Sequence, residues 1–426
     1  MSSSSSTGLH LGLAGAEDVN TIFNPTVSFW VTEKPTHTHF VMDYSVQDAS
    51  TLVWNQTVDF VWPKGGDLVR NTLLVLDLPM CQTSGAALST GHWVNDIGRA
   101  AWSQIDLVVG TVTINTLHSE LEHCLDELEN DPVNQWGELS GREEDLAALI
   151  ARSATAQRVI CKLGFYYTKV DGDAFPLANM IGTDVHVKVM LRPCSHLIGA
   201  NVDGVANNAD MTNNGKNAPT LIRLINEIVH LNDDERVAVG HAEMKLAIDN
   251  YDRFDSSLTL TGAGKENTIE MPFNHPVKDL IVLFRKATCA PGGATAGLNS
   301  VDDNNMFNFI GQETDARFKD EAFQGLKLRL NGSDYWPYMD PHMFRKYMAR
   351  MRYGRVPRKH IYPFPFGLYP SSERATGELN MSKIDKRQLL VQNPASVALA
   401  ATDVIVFSRH ILEINFVSNT VQRSYA

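Results

Sequence analysis

The sequence predicts an all-β chain built as two tandem β-sandwiches with short inserted helices. Three observations carry that expectation. Short runs rich in β-branched and aromatic residues recur along the chain, separated by polar turns holding Gly, Pro and Asn. One stretch rich in Asn, Gly and Ala, residues 195–219, divides those runs into two groups. The 426 residues, 43% hydrophobic and 20% charged, can fill two cores of ordinary domain size.

Taken in order, residues 1–23 read as an N-terminal arm. It opens with a serine run and has neither a basic n-region nor a long apolar core, so no signal peptide is expected. The first sandwich is expected over 24–194. Residues 51–62 (TLVWNQTVDFVW) alternate, and 72–78 is an apolar run closed by Pro79. Residues 105–114 (IDLVVGTVTI) read as two short strands joined at Gly110, and 185–191 (VHVKVML) alternates up to Pro193. Two stretches, 117–128 and 143–153, have helical spacing, and the second opens with the capping-box pattern Ser140-Gly-Arg-Glu143. They read as helices inserted between strands, with solvated acidic faces. Residues 195–219 are the expected linker, and 220–426 the second sandwich. Its strands are expected at 221–229, 268–271, 280–284, 326–330, 361–368, 389–391, 404–407 and 411–416.

The formal charge is -12, and it is unevenly spread. Residues 1–200 carry 11 basic and 23 acidic side chains, and the rest carry 26 of each. A protein that coats nucleic acid needs a basic excess, so no direct nucleic-acid binding is expected. The five cysteines, Cys81, Cys124, Cys161, Cys194 and Cys289, are widely spaced with no C-x-x-C, so buried free thiols are expected rather than disulfides or a zinc ribbon. No run of 18 apolar residues occurs, so no transmembrane helix is expected.

Patterns that carry chemistry are scarce. Thr36-His37-Thr38-His39 places two histidines on one face of an extended segment, but no third ligand sits at metal spacing. His118 and His123 are five apart and do not share a helix face, unlike the pair in H-E-x-x-H. Gly262-Ala-Gly264-Lys265 lacks the first glycine of a phosphate loop, and Glu266 stands where Ser or Thr would hold magnesium, so a β-turn is expected. No catalytic residue, metal site or cofactor is assigned, and a β-sandwich hydrolase finds no convergent titratable group. The segment 345–360 (RKYMARMRYGRVPRKH) carries Arg345, Lys346, Arg350, Arg352, Arg355, Arg358 and Lys359 with no acidic residue. Those side chains suit phosphate contacts with Tyr347 and Tyr353 stacking, or a docking surface for an acidic neighbour. The acidic first half favours the second, as an inter-subunit contact. Sequons occur at Asn55, Asn331 and Asn380, and Asn331-Gly332 also reads as a hairpin turn. Asn55 and Asn331 are the weak glycosylation candidates.

Several segments, in order, resemble the major capsid proteins of nucleocytoplasmic large DNA viruses. Ile361-Tyr362, Phe364, Phe366, Leu368 and Pro370, then Gly377, Leu379-Asn380, Ser382 and Ile384-Asp385, resemble that family's I-Y-x-[YF]-x-F-x-L-x-P … S-G-x-x-N-x-S-x-I-D signature. Phe273-Asn274-His275-Pro276-Val277-Lys278-Asp279-Leu280 is similar to its F-N-H-P-V-K-E-L, and Leu330-Asn331-Gly332 to its L-N-G turn. Residues 231–241 (LNDDERVAVGH) resemble its L-D-x-x-E-R…H-E segment. Looser matches precede these at Thr38-His39-Phe40, Gly66-Asp67-Leu68, Leu78-Pro79, Trp93, Asn95, Ile97-Gly98, Phe165-Tyr166-Tyr167 and Phe175-Pro176-Leu177. Ile411-Leu412 and Ile414 resemble the terminal run, so the likeness spans about residues 27–416. Departures fall at Pro365-Phe366-Gly367-Leu368, Ala375-Thr376-Gly377 and His241-Ala242-Glu243.

The resemblance implies a double jelly roll, two eight-stranded sandwiches in tandem. It implies a homotrimer forming a pseudo-hexagonal capsomer of an icosahedral capsid, with penton and minor capsid proteins as further partners and an internal membrane nearby. It implies a virion protein assembled in the host cell, in the cytoplasm, and a structural role for Asn380. Loops 80–91, 172–175 and 287–324 would face outward as towers, and the arm would pass inward or between capsomers. The alternative is a minor capsid or fibre-type jelly-roll protein that binds host-surface carbohydrate.

Overall fold

The computed structural model describes residues 37–81, 91–129, 137–143, 145–200, 217–258, 265–292, 304–309, 323–372, 374–392, 402–417 and 419–424. Met1–His39 and Phe40–Ala426 form two units, and the architecture below is that of the second. The chain runs β1 (Val41–Asp48), β2 (Thr57–Val61), β3 (Leu68–Leu78), β4 (Gly91–Trp93), α1 (Ile97–Ala100), β5 (Trp102–Val109) and β6 (Val112–His118). Three helices follow, α2 (Ser119–Glu129), α3 (Gly137–Ser140) and α4 (Leu146–Ser153), then β7 (Gln157–Lys162), β8 (Phe175–Pro176), β9 (Val185–Leu191), β10 (Ile198–Ala200) and β11 (Leu221–His230). Helix α5 (Asp233–His241) leads to β12 (Met244–Leu258), β13 (Glu266–Glu270), β14 (Pro276–Lys286), β15 (Gly325–Leu330) and β16 (Ser333–Met339). A π-helical turn, Met343–Met348, runs into α6 (Ala349–Tyr353). Then come β17 (Ile361–Pro365), β18 (Leu379–Asn380), β19 (Arg387–Gln392), β20 (Thr402–Val417) and β21 (Thr420–Arg423).

Four sheets carry the two sandwiches. The first has β1-β11-β3-β7 facing β2-β9-β5-β6, and the second has β12-β20-β14-β17 facing β13-β19-β15-β16. Counting the eight main strands of each sandwich in chain order, both sheets read 1-8-3-6 and 2-7-4-5 in both sandwiches. That shared order, antiparallel throughout, is the jelly roll, and the chain is a double jelly roll.

Alternation explains which strands carry which core. Strand β9 buries every second residue, as VHVKVML promises. Strands β14 and β20 are buried on both faces, so they read as continuous apolar runs. Val282, Phe284, Val404 and Val406 point into the second sandwich. Their neighbours Ile281, Leu283, Ile405 and Phe407 join a cluster continuous with the first core, which holds Leu74, Trp102, Ile105, Val189 and Leu224. One sheet therefore walls two cores.

Several expectations change. Leu221–His230, assigned to the second half, hydrogen-bonds between β1 and β3 and completes the first sandwich. An eight-stranded jelly roll needs its last strand beside its first, so the boundary between the sandwiches falls after β11 and not before it. Residues 198–200 of the polar stretch before β11 pair with β4, while 201–216 lie outside the described residues. The long run 51–62 keeps only β2, because Asn55 turns the chain with φ 62°. The runs at 404–407 and 411–416 are one strand, β20. Helix α4 starts after Asp145, whose carboxylate accepts from Ala147 N at 3.3 Å, so Ser140 is not its cap. Loop 172–175 leads into β8, which pairs with the first residues of β3, whereas loop 80–91 follows that strand's last residues. Residues 175–176 and Pro79–Cys81 therefore lie at opposite ends of β3. Asn304 Nδ2 donates to the carbonyls of Ser195 and Ile198, so the 287–324 connection adjoins the turn after β9. Most of 80–91 and 287–324, and the Gly262–Lys265 turn up to Gly264, lie outside the described residues. All five cysteines are buried and free, and burial pushes the Cys81 and Cys194 thiols up to about 12. No described helix is long and apolar enough to cross a membrane.

Candidate assembly interface

Helix α2 was expected to show a solvated acidic face. It is instead buried from Ser119 to Leu128, between the two sandwiches. Its apolar positions Leu121, Cys124, Leu125 and Leu128 join the continuous core. Its carboxylates are neutralised by arginines from both sides of the seam. Glu120 lies 3.0 Å from Arg192 of the first sandwich, and 3.0 Å and 3.6 Å from Arg253 and Arg285 of the second. Burial works against its charge, but Arg192, Arg253 and Arg285 together hold its carboxyl well below the usual range. Asp126 pairs with Arg99, which also meets Asp96 at 3.2 Å, and Asp96 accepts from His123 Nδ1 at 2.8 Å. Glu129 reaches Arg409 at 2.7 Å, and Arg409 reaches Asp279 at 3.2 Å. Lys169 of the first sandwich and Lys278 of the second both hold Asp249, at 3.3 Å and 2.9 Å.

Glu122 differs from its neighbours. Its Oε1 is buried without a hydrogen-bond partner, and burial with the nearby Asp126 pushes its carboxyl up to about 7. A Cβ at Gly164 would meet that Oε1 at 2.5 Å, so glycine is needed where the backbone passes the carboxyl.

The basic segment does meet the acidic half, but inside one chain. Glu127 pairs with Arg142 and accepts from Arg358 N at 3.1 Å. Arg345 is buried, with Nη1 2.9 Å from His360 Nε2, and Tyr353 donates to Asp279. Burial, with Arg142 nearby, pushes Lys359 down to about 8. Arg345 and the Arg358 backbone thus make their contacts within the chain, the second a pairing that needs three-dimensional placement and leaves no mark in spacing. Lys346 and Arg350 stay exposed, beside exposed Met343, Tyr347, Met351 and Val356, while Arg352 and Arg355 are half-buried.

Most signature residues gather at one end of the second sandwich, where they pin turns, while Ile361 and Tyr362 lie toward the other end of β14. Asn331 (φ 50°) and Gly332 (φ 84°) make the β15–β16 turn. Asn331 Oδ1 accepts from the backbone N–H of Asp385 and Lys386, at 2.9 Å and 3.0 Å. Asn380 Oδ1 accepts from Ser382 N at 3.0 Å. Arg387 Nη1 donates to Phe273 O at 2.5 Å and Asn274 Oδ1 at 2.9 Å, and Pro276 pairs with Asn380. Gly377 has φ 139° and lies against Gly367, where a Cβ would meet backbone at 3.1 Å. Ile361 and Tyr362 are buried, Phe366 meets Tyr335 with the rings tilted by 60°, and the Pro370 carbonyl accepts from Arg409 at 3.0 Å. His275 stacks on His410. Asn55 is exposed on its turn. His37 Nδ1 lies 2.7 Å from the Thr38 carbonyl, in the other unit with His39.

This geometry has counterparts among known proteins. Residues 28–231 match the family described as major capsid protein N-terminus, and 235–416 match the large eukaryotic DNA virus major capsid protein family. The break between them falls just after β11, where the first sandwich closes. The major capsid protein of Phaeocystis pouchetii virus is 22% identical, over 92% of this chain and 94% of its own length. That of Paramecium bursaria Chlorella virus 1 is also 22% identical, over 88% of this chain and 84% of its own. Among solved structures, a chain of the PBCV-1 virus capsid superposes with TM-score 0.76 at 18% identity, covering 94% of this chain and 100% of that one. The Faustovirus major capsid protein gives 0.68 at 9% identity, covering 94% of each. With both sandwiches matched in sequence and in fold, the chain belongs to the major capsid proteins of the large eukaryotic DNA viruses.

Proposed function

We propose that three copies of this virion protein join as a homotrimer whose six sandwiches form a pseudo-hexagonal capsomer of an icosahedral shell. The observation that carries this is repetition within one chain: two sandwiches of the same strand order with different surfaces. A three-membered ring of such chains alternates first and second sandwich, so each contact between copies joins unlike faces. Two exposed apolar surfaces suit that contact. One is the edge strand β1, where Val41, Met42, Tyr44 and Val46 face solvent. The other is the outer face of the basic segment, with Tyr347 and Met351 beside Lys346 and Arg350. We assign the inter-subunit role first to Lys346, Arg350, Arg352 and Arg355, since Arg345 is buried against His360, the Arg358 backbone is held by Glu127 and Lys359 is half-buried.

The role is non-enzymatic in this reading, with no cofactor and no direct nucleic-acid contact. Penton and minor capsid proteins are the further partners, beside an internal membrane, in particles assembled in the host cytoplasm. Asn55 is the better glycan acceptor of the two candidates, because the Asn331 side chain is committed to the 385–386 backbone. Light scattering on the purified chain tests the central point. A stable species of three times the 47.2 kDa chain is expected, given an obligate interface. A monomer at micromolar concentration overturns it.

A further inference from the structure

A cluster of titratable side chains lies on the second sandwich, around the stacked His275 and His410. In the β12–β20 pairing Ser408 faces Asp252 and Asn250 faces His410, so Asp252 and His410 are diagonal neighbours. On the other side of β20, Val277 faces His410, which brings His275, two residues earlier, alongside from the turn before β14. The three side chains converge: one ligand atom from each lies within 4.8 Å of the others. His410 Nδ1 is buried without a hydrogen bond, 3.4 Å from the Asp252 carboxylate. The two imidazole rings stack with centroids 4.5 Å apart. Asp252 keeps 43% of its side-chain exposure, so the cluster opens to solvent on that side.

We propose that Asp252, His275 and His410 form a binding site for a divalent transition-metal ion of the zinc type. Two imidazoles with one carboxylate suit zinc, nickel or ferrous iron, whereas calcium and magnesium take oxygen ligands. Three protein ligands leave a coordination position for water. On binding, the rings turn out of their stack so that both lone pairs point at one centre. Ligand atoms then close to about 3 Å of one another, as metal–ligand bonds of about 2 Å require. Arg423, whose guanidinium donates to the Thr113 carbonyl, supplies the opposing charge, and Asp249 a favourable one. The ion would tie β12, β20 and the turn before β14 together, three segments far apart in sequence.

Dialysis of the full chain against zinc chloride, followed by metal analysis, tests the site, with cobalt(II) absorption and thermal unfolding as further readouts. One zinc per chain is expected, with Tm raised by roughly 5 °C at saturating metal. Asp252→Asn should weaken binding at least tenfold, and His275→Ala should abolish it. Both positions are partly exposed, and an unchanged metal-free Tm shows that the variants fold. Replacing His37 and His39 with Ala should leave the stoichiometry at one. Absence of stoichiometric zinc in the parent chain, or zinc binding that survives Asp252→Asn and His275→Ala, overturns the proposal.

Discussion

The two sandwiches share a strand order and differ most at one equivalent place, the connection between the fifth and sixth main strands. In the first this connection begins with α2, whose acidic side chains are Glu120, Glu122, Asp126, Glu127 and Glu129. In the second it is the π-turn, α6 and the segment up to β17, with seven basic residues between Arg345 and Lys359. The two connections touch, through Glu127 and the Arg358 backbone. Equivalent parts of a repeated architecture have thus taken opposite charge and become each other's partner. Residues 1–231 carry 13 basic and 26 acidic side chains, and the remainder 24 and 23, so the asymmetry survives moving the boundary past β11. A buried charged seam gives little net stability against an apolar one, but it penalises every wrong pairing of sandwiches.

The strongest way to break the comparison is to remove the carboxylate that both sandwiches share. Glu120→Ala leaves Arg192 and Arg285 buried without their carboxylate partner, and Arg253 with Asp255 alone. Urea unfolding should show a loss of about 3–5 kcal/mol, the range for breaking a buried pair. A loss below about 1 kcal/mol would mean that the seam holds without it.

Next is Glu122, whose carboxyl sits at about 7 against an ordinary 4.5. Between those values the folded chain binds more protons than the unfolded one, so this group's contribution falls as pH rises through the window and levels off above it. Glu120, held low, contributes in the opposite sense and only in more acid solution. Glu122→Gln removes the decline. It should be more stable than the parent at pH 8, by about 1–3 kcal/mol, and equal to it near pH 5. Urea midpoints at the two pH values decide this, and equal pH slopes in parent and variant would refute it.

The smallest effect on the isolated chain concerns the outer basic face. Lys346→Glu with Arg350→Glu should change its stability by no more than about 0.5 kcal/mol, as for other exposed sites. The same pair should weaken trimer or lattice formation in light scattering. Unchanged assembly would return the whole segment to an intramolecular role.

Legibility followed locality. Gly110 between two apolar runs gave β5 and β6 correctly, and Asn331-Gly332 gave its hairpin, because a turn is written in two or three residues. Strand β11 was found but placed in the wrong sandwich, since pairing with β1, some 175 residues away at Arg223 and Asp48, leaves no local trace. The acidic helix was read as solvated because a helix surface looks the same whether water or arginine faces it. What distinguishes the two is Arg253, Arg285 and Arg409, far along the chain. The Asp252, His275 and His410 cluster was missed for the same reason, since strand register alone brings the three together.

The seam also sets a timetable. During synthesis Glu129 leaves the ribosome 280 residues before Arg409. At about 5–20 residues per second that interval is roughly 15–60 s. Over that time the first jelly roll can close all its strands, β11 included, while α2 has Arg99, Arg142 and Arg192 but still lacks Arg253, Arg285 and Arg409 of the second sandwich. The nascent chain therefore carries an unfinished acidic helix beside a finished sandwich until β20 is made, and a factor that shields that helix would act within this interval.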